Sequence, residues 1–162
     1  MAELVIGRLA AADWSAFRDI RLAALRDAPD AFGSTAEDAD KLDEAEWRRR
    51  LTQRAVFLAE VSNMPVGLAA GIAGDQPGEA ELISMWVAPA WRRRGVGDRL
   101  VEAVVAWAIG DGFTTIYLWV AEGNDRGEGL YARHGFARTG RVQPMGGGRG
   151  NHLEFEMRRG AG

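Results

Sequence analysis

The stretch Val87-Ala88-Pro89-Ala90-Trp91-Arg92-Arg93-Arg94-Gly95-Val96-Gly97-Asp98 combines three features that favour an anion. Gly95 and Gly97 let the backbone turn tightly and present N–H groups with no side chain in the way. Those donors fall at the start of the apolar-periodic segment Leu100, Val101, Val104, Val105 and Ala108, and so at a helix N-terminus, where the dipole also attracts negative charge. The arginines just before add fixed charge and forked donors that suit phosphate oxygens. A pyrophosphate is the natural occupant. No Lys-Ser/Thr follows Gly97, so a nucleoside-triphosphate loop does not fit. The turn also lies mid-chain, whereas a dinucleotide fingerprint would follow a first parallel strand.

The elements that must position this turn are readable on either side of it. Leu4 to Leu9 reads as a strand, and Asp13 caps a helix with Trp14, Phe17, Ile20 and Ala24 on one face, ending before Pro29. After a loop at 29–34, Thr35 caps a second, charge-rich helix that the pattern carries to about Thr52. Three apolar runs, Ala55 to Val61, Val66 to Ala73 and Glu81 to Val87, are joined too tightly for crossovers and predict an antiparallel meander. The long helix then stops at Gly110, Thr114 to Val120 is a strand, Asp125 to His134 a helix and Phe136 to Arg141 a strand. A flexible loop at 146–150 leads to a last strand in which Leu153, Phe155 and Met157 alternate with His152, Glu154 and Glu156, the latter set facing outward. The order β-α-α-β-β-β-α-β-α-β-β predicts a single α/β domain over 1–162, with a mixed, mostly antiparallel sheet of about seven strands and about four helices.

Arg92-x-x-Gly95-x-Gly97, preceded by Val87-Ala88-Pro89, resembles the acyl-CoA motif of the GNAT superfamily of N-acetyltransferases. Asn124 through Leu130-Tyr131-x-x-x-Gly135-Phe136 resembles that superfamily's downstream motif. The two occur in the family's order, one helix and one strand apart, and the element order agrees along nearly the whole chain. The resemblance implies that the strands after Gly78 and after Thr114 splay to admit acyl-CoA. It implies that the backbone of Met85, Trp86 and Val87 binds pantetheine, with the Val87 N–H polarising the thioester carbonyl. It also implies that Arg92 and Arg94, with the N–H groups of Gly95, Val96, Gly97 and Asp98, hold the pyrophosphate. Tyr131 matches the position that protonates the departing sulfur. Asn124 contacts the cofactor, caps the next helix, or does both. The family often carries alanine where this chain has Gly127 and Gly129, and each glycine weakens a helix by roughly 1 kcal/mol.

The base that frees the amine is less marked. The strand position where some members carry a glutamate falls in Leu118-Trp119-Val120, so that base is absent. Glu81 resembles the base position of other members and reads equally as an exposed carboxylate at a strand end. Ser84 is closer to the gap but is suited only to hydrogen bonding. His134 reads as a helix-end or solvent-facing residue, and His152 with Glu154 as a solvated strand face or a base acting through water. With no cysteine, a sulfur relay and thiolate metal sites are excluded, and direct attack of an amine in a ternary complex follows. The two histidines have no carboxylate spacing for a metal site. A net charge of −3 argues against a nucleic-acid binder, no run is long enough to span a bilayer, and the acidic start Met1 to Val5 lacks a secretory pattern. Cytoplasmic residence is the expectation, and a homodimer is compatible with family habit. The acceptor is expected to be a primary amine of a small molecule or peptide. Its walls would come from the loop around Asp30, the second helix with Glu37, and the glycine-rich loop. Trp86 and Trp119 favour a short acyl group. The same fold holding acyl-CoA without turnover, as a sensor, is the competing reading.

Overall fold

Asp43 divides the expected second helix in two. Its backbone is extended, at φ −87° and ψ 174°, and its side chain accepts a hydrogen bond from the Glu46 N–H, so a new helix starts there. The computed structural model describes residues 2–29, 32, 34–146 and 151–162. Among these, five α-helices replace the four expected: α1 (Trp14–Asp27), α2 (Ala36–Asp40), α3 (Glu44–Gln53), α4 (Val96–Gly110) and α5 (Asp125–Arg133). Thr35 caps α2 by accepting from the Asp38 N–H at 3.1 Å, as its position before the helix predicts. No helix among the described residues is long and apolar enough to cross a membrane.

The seven strands are β1 (Leu4–Arg8), β2 (Ala55–Val61), β3 (Met64–Ala73), β4 (Glu79–Val87), β5 (Thr115–Ala121), β6 (Ala137–Pro144) and β7 (Leu153–Gly160). They form one sheet in the order β1-β2-β3-β4-β5-β7-β6. Every neighbouring pair is antiparallel except β4 and β5, which α4 joins in parallel. This is the α/β architecture the sequence predicts, with β4 starting two residues earlier than its apolar run.

Period-2 side chains send alternate residues to two cores. On one face α4 buries Leu100, Val101, Val104 and Ala108 against Val66, Ala80, Leu82, Ile116 and Leu118. On the other, α1 to α3 bury Phe17, Leu25, Trp47 and Leu51 against Val56, Leu68, Ala70 and Trp86. The rings of Phe17 and Trp47 meet edge-on at 5.2 Å. Each fully buried aliphatic side chain contributes about 1.5–3 kcal/mol, so these two layers fix the relative positions of β4, α4 and β5.

The last strand departs from simple alternation. Glu156, expected on an outward face, is only 1% exposed. It accepts from Thr139 Oγ1 at 2.8 Å, Arg141 Nη1 at 3.0 Å and Arg158 Nε at 3.0 Å. Burial pushes its pKa up, but the hydrogen bonds from Arg158 and Thr139 and the two arginine charges outweigh it and hold the carboxylate below its usual range. A sequence pattern of alternating polarity cannot distinguish a solvated glutamate from one roofed by arginines.

Candidate active site

The parallel ladder between β4 and β5 is short. Glu79 pairs with Thr115, Ala80 with Ile116 and Glu81 with Tyr117, and there the pairing ends. On its other side β4 stays joined to β3, with an irregularity where Leu68 pairs with Trp86 and Ala70 with Ile83. Two residues, Ser84 and Met85, therefore oppose Ala69 alone, and Ser84 takes a positive φ of 62°. This is a β-bulge, which bends its strand. Beyond it the Ala88 N–H donates to Val66 O at 2.8 Å. Antiparallel alternation then makes Gly67–Val87 the non-bonded pair and aims the Val87 N–H away from β3, into the gap.

The gap opens onto the arginine-glycine turn. Pro89–Trp91 forms a short 3-10 turn, Arg93 has φ 62° and Gly95 φ 83°, and α4 begins at Val96. Gly97 stands where an added Cβ would come within 3.1 Å of Leu130 Cδ2, so its small size brings α5 close to α4. An open cleft of about 1130 Å³ runs along the gap, with Met85, Val87, Arg93, Gly95, Asn124 and Tyr131 in its walls. That exceeds the usual range for a compact ligand and leaves room for a long one.

The arginines behave differently from one another. Arg92 turns inward: its Nε donates to Val87 O at 3.0 Å and its Nη2 to Asp27 Oδ2 at 2.8 Å. The same Asp27 oxygen accepts from Trp86 Nε1 at 2.9 Å. Arg92 thus ties the turn to the end of α1, whereas the family resemblance implies a phosphate contact. Arg94 is exposed, with its guanidinium 5.2 Å from the Trp91 ring centroid, and does not line the cleft. Arg93, which the sequence did not single out, does line it. Asp98 lies in the first turn of α4, and its carboxylate meets Arg133 at 3.2 Å and His134 Nε2 at 2.8 Å. Burial raises its pKa, but the hydrogen bonds and charges of His134 and Arg133 prevail and lower it. His134 is therefore the helix-end residue of the two readings, the C-cap of α5, and it fastens α5 to α4 instead of facing solvent.

Tyr131 is buried on α5 with its ring 6.0 Å from that of Phe136, and burial raises its hydroxyl pKa above the ordinary tyrosine value. The hydroxyl keeps its proton at any physiological pH and is a donor. Asn124 lines the cleft and caps α5, accepting from the Gly127 N–H at 3.0 Å. A Cβ on Gly127 would come 2.6 Å from Asn124 Nδ2. The glycine that departs from the family pattern is thus what this cap requires.

Glu81 does not line the cleft; it sits where the two strands still pair. Its Oε1 lies 3.5 Å from the Tyr117 hydroxyl, which also accepts from the Asp75 N–H at 3.2 Å. Burial first, then the charge of Asp75, raises its pKa from the usual 4.5 to about 7, against the opposing Tyr117 hydrogen bond. The carboxylate can exchange a proton near neutrality, a property that its position in the sequence does not reveal.

Known proteins share this fold. The profile of the acetyltransferase (GNAT) family matches residues 15–136. The chain belongs to that family. A protein of Methanocaldococcus jannaschii named as an uncharacterized N-acetyltransferase is 30% identical over 95 residues, which span 56% of this chain and 42% of that one. The match thus covers less than half of the relative's length. Among solved structures, a GNAT-family acetyltransferase of Streptococcus pneumoniae superposes with a TM-score of 0.83 at 20% identity, over 99% of this chain and 100% of that one. The Salmonella typhimurium protein yncA, solved with its cofactor acetyl-CoA, superposes with a TM-score of 0.77 at 20% identity, over 99% and 95%.

In this GNAT chain the sequence-predicted Met85, Trp86, Val87, Arg92, Gly95, Gly97, Asp98, Asn124 and Tyr131 all border the cleft, while Glu81, Arg94 and Val96 do not. Val96 is buried beneath the turn, so only its backbone is available there. Asp27 and Tyr117 were missed: neither lies in a motif, and each matters through a partner far away in sequence. Asp30, Ala31 and Gly33 of the expected acceptor wall, and residues 147–150 of the glycine-rich loop, lie outside the described residues.

Proposed function

We propose that this chain is an N-acetyltransferase that moves an acetyl group from acetyl-CoA to a primary amine of a small molecule or peptide, by direct attack. The GNAT family uses acetyl-CoA, which supplies an activated thioester. The observation that carries the proposal is the continuity of one cleft from the helix α4 N-terminus, past the outward-aimed Val87 N–H, to the buried Tyr131 hydroxyl.

The N–H groups of Gly95, Val96, Gly97 and Asp98, with Arg93, receive the pyrophosphate; the α4 dipole adds to their field. The backbone of Met85, Trp86 and Val87 holds the pantetheine arm in place of the missing β5 ladder, and the Val87 N–H stabilises charge on the acyl oxygen. Glu81, set back from the cleft where β4 and β5 still pair, takes through an intervening water the proton that an ammonium must lose before its nitrogen can attack. One bond forms, from that nitrogen to the acetyl carbon, and one breaks, from the carbon to sulfur. Tyr131 gives its proton to the departing sulfur and recovers one from the acylated nitrogen, so the products are an amide, a thiol and a protonated Glu81.

Calorimetric titration with acetyl-CoA tests the donor half, with Gly97→Trp as the control whose indole fills the cleft beside Leu130. Thiol release across a panel of amines, repeated with Tyr131→Phe, tests the transfer. Absence of binding by the folded wild type overturns the proposal. Tight binding with no thiol release from any amine replaces it with the sensor reading.

A further inference from the structure

Past its bulge, β4 has lost the strand on one side. The pairing with β5 ends at Glu81 and Tyr117, so beside Trp86 and Val87 the only ladder among the described residues is the one with β3, through Leu68–Trp86 and Gly67–Val87. The peptide unit between Trp86 and Val87 carries the N–H that faces the gap. Its aim decides what it can do for an acyl oxygen, because a hydrogen bond weakens steeply as its angle closes.

The last residue of α1 supplies the missing support. Asp27 Oδ2 accepts from Trp86 Nε1 at 2.9 Å and from Arg92 Nη2 at 2.8 Å, while Arg92 Nε donates to Val87 O at 3.0 Å. The peptide is thus gripped on both sides, by the Trp86 side chain before it and the Val87 carbonyl after it. Both grips end on one carboxylate oxygen, which closes a ring of hydrogen bonds around the donor. The Trp86 indole is buried in the layer beneath α1, so packing fixes its rotamer and the ring is stiff. The side chains of Asp27 and Arg92 are 29% and 32% exposed, too wet for their ion pair to add much stability. What the ring offers is direction.

We propose that Asp27 is a positioning residue for acyl transfer: through Trp86 and Arg92 its carboxylate sets the angle at which the Val87 N–H meets the thioester carbonyl. This rests on the acetyltransferase reading, which supplies the thioester. Asp27 itself touches neither the acyl group nor the amine in this account and acts only through the two side chains it holds.

Acetyl-CoA isotope-labelled at the carbonyl carbon reports that hydrogen bond with no acceptor present. A well-aimed donor lowers the carbonyl stretching frequency, so infrared difference spectra of the bound cofactor should show a lower frequency in wild type than in Asp27→Ala. Asp27→Asn keeps an acceptor oxygen for both donors and should restore most of the difference. Acetyl-CoA affinity by calorimetry should stay within about threefold in both variants, because the interaction belongs to the transition state. With an amine that wild type uses, kcat should fall by roughly 10- to 100-fold in Asp27→Ala, with KM little changed. Glu46→Gln, which frees Arg49 and Arg50 on α3 outside the cleft, should lower Tm without moving the frequency. Should Asp27→Ala not fold, Arg92→Met removes the Val87 O grip alone and must raise the frequency. An unchanged frequency in Asp27→Ala or, in its place, Arg92→Met overturns the inference, as does a change in Asp27→Asn as large as in Asp27→Ala. Affinity lost in step with kcat overturns it too, since the carboxylate then serves binding or folding. If wild type binds no acetyl-CoA, the acetyltransferase reading falls with it; if wild type binds and transfers acetyl while the variants keep its frequency, only this inference falls.

Discussion

Replacing Glu81 with glutamine separates its proposed role as base from its cost to the fold. A rise from the usual 4.5 to about 7 corresponds to ~3 kcal/mol at full strength, and solvent screening at this half-buried group reduces it to ~1–2 kcal/mol. The sign follows from the direction of the shift. The folded state prefers the protonated acid, so the stabilisation is complete below pH 4.5 and is lost as pH rises to about 7. Glutamine cannot ionise, so Glu81→Gln should match wild type at pH 4.5 and exceed it at pH 8, by ~3–6 °C in Tm for a chain of this length. The same substitution should lower kcat/KM by about 10²–10⁴-fold and remove the rise in rate that wild type shows as pH approaches 7. An acceptor with an α-amino group, whose own pKa is about 7.7–8.0, should be used at saturating acetyl-CoA, with the amine's ionisation divided out. A rise persisting in Glu81→Gln, or a rate within about threefold of wild type, would refute the role. A Tm difference that does not widen with pH would refute the electrostatic account of the site.

Four further substitutions probe the surrounding parts. Tyr131→Phe should lower kcat by ~10²–10⁴-fold with little change in acetyl-CoA affinity by calorimetry, because only the proton donor is removed. Gly127→Ala should gain about 1 kcal/mol of helix propensity and lose about the same from the displaced Asn124 cap; Tm should therefore stay level while kcat falls through misplacement of Tyr131. Arg92→Ala should lower stability by ~1 kcal/mol by chemical denaturation, since its pair with Asp27 is partly exposed. Acetyl-CoA affinity should fall less for Arg92→Ala than for Arg93→Ala: both border the cleft, but the Arg92 guanidinium is already engaged by Val87 O and Asp27.

Much of the fold was legible because the sequence punctuates it. Apolar periodicity located all seven strands, and the short connections after Val61 and Ala73 allowed only antiparallel pairing. The helix count failed at Asp43, where a charge-rich segment has too weak an apolar stripe to show its own interruption. Only the capping hydrogen bond to the Glu46 N–H decides it. Glu156 was misplaced for a related reason: polarity along a strand predicts which side a residue faces, but not whether three donors from β6 and β7 will bury it.

The candidate site was legible where chemistry depends on neighbours in sequence and illegible where it depends on neighbours in space. Gly95, Gly97 and the start of α4 form an anion cradle through local backbone geometry, so a short motif suffices to find it. In Arg92-Arg93-Arg94 the side chains are chemically identical, and only tertiary partners divide them: Asp27 from the far end of α1 and Val87 O engage the Arg92 guanidinium at the cleft's edge, Trp91 takes Arg94, and Arg93 meets the cleft with no ion pair among the described residues. Glu81 follows the same logic. Its proton affinity is set by burial, by Asp75 across a turn and by Tyr117 across a parallel register that forms only after α4 has folded back. A charged residue's identity fixes what it can do, while the partner that the fold delivers decides whether it holds the backbone, meets a ligand or moves a proton.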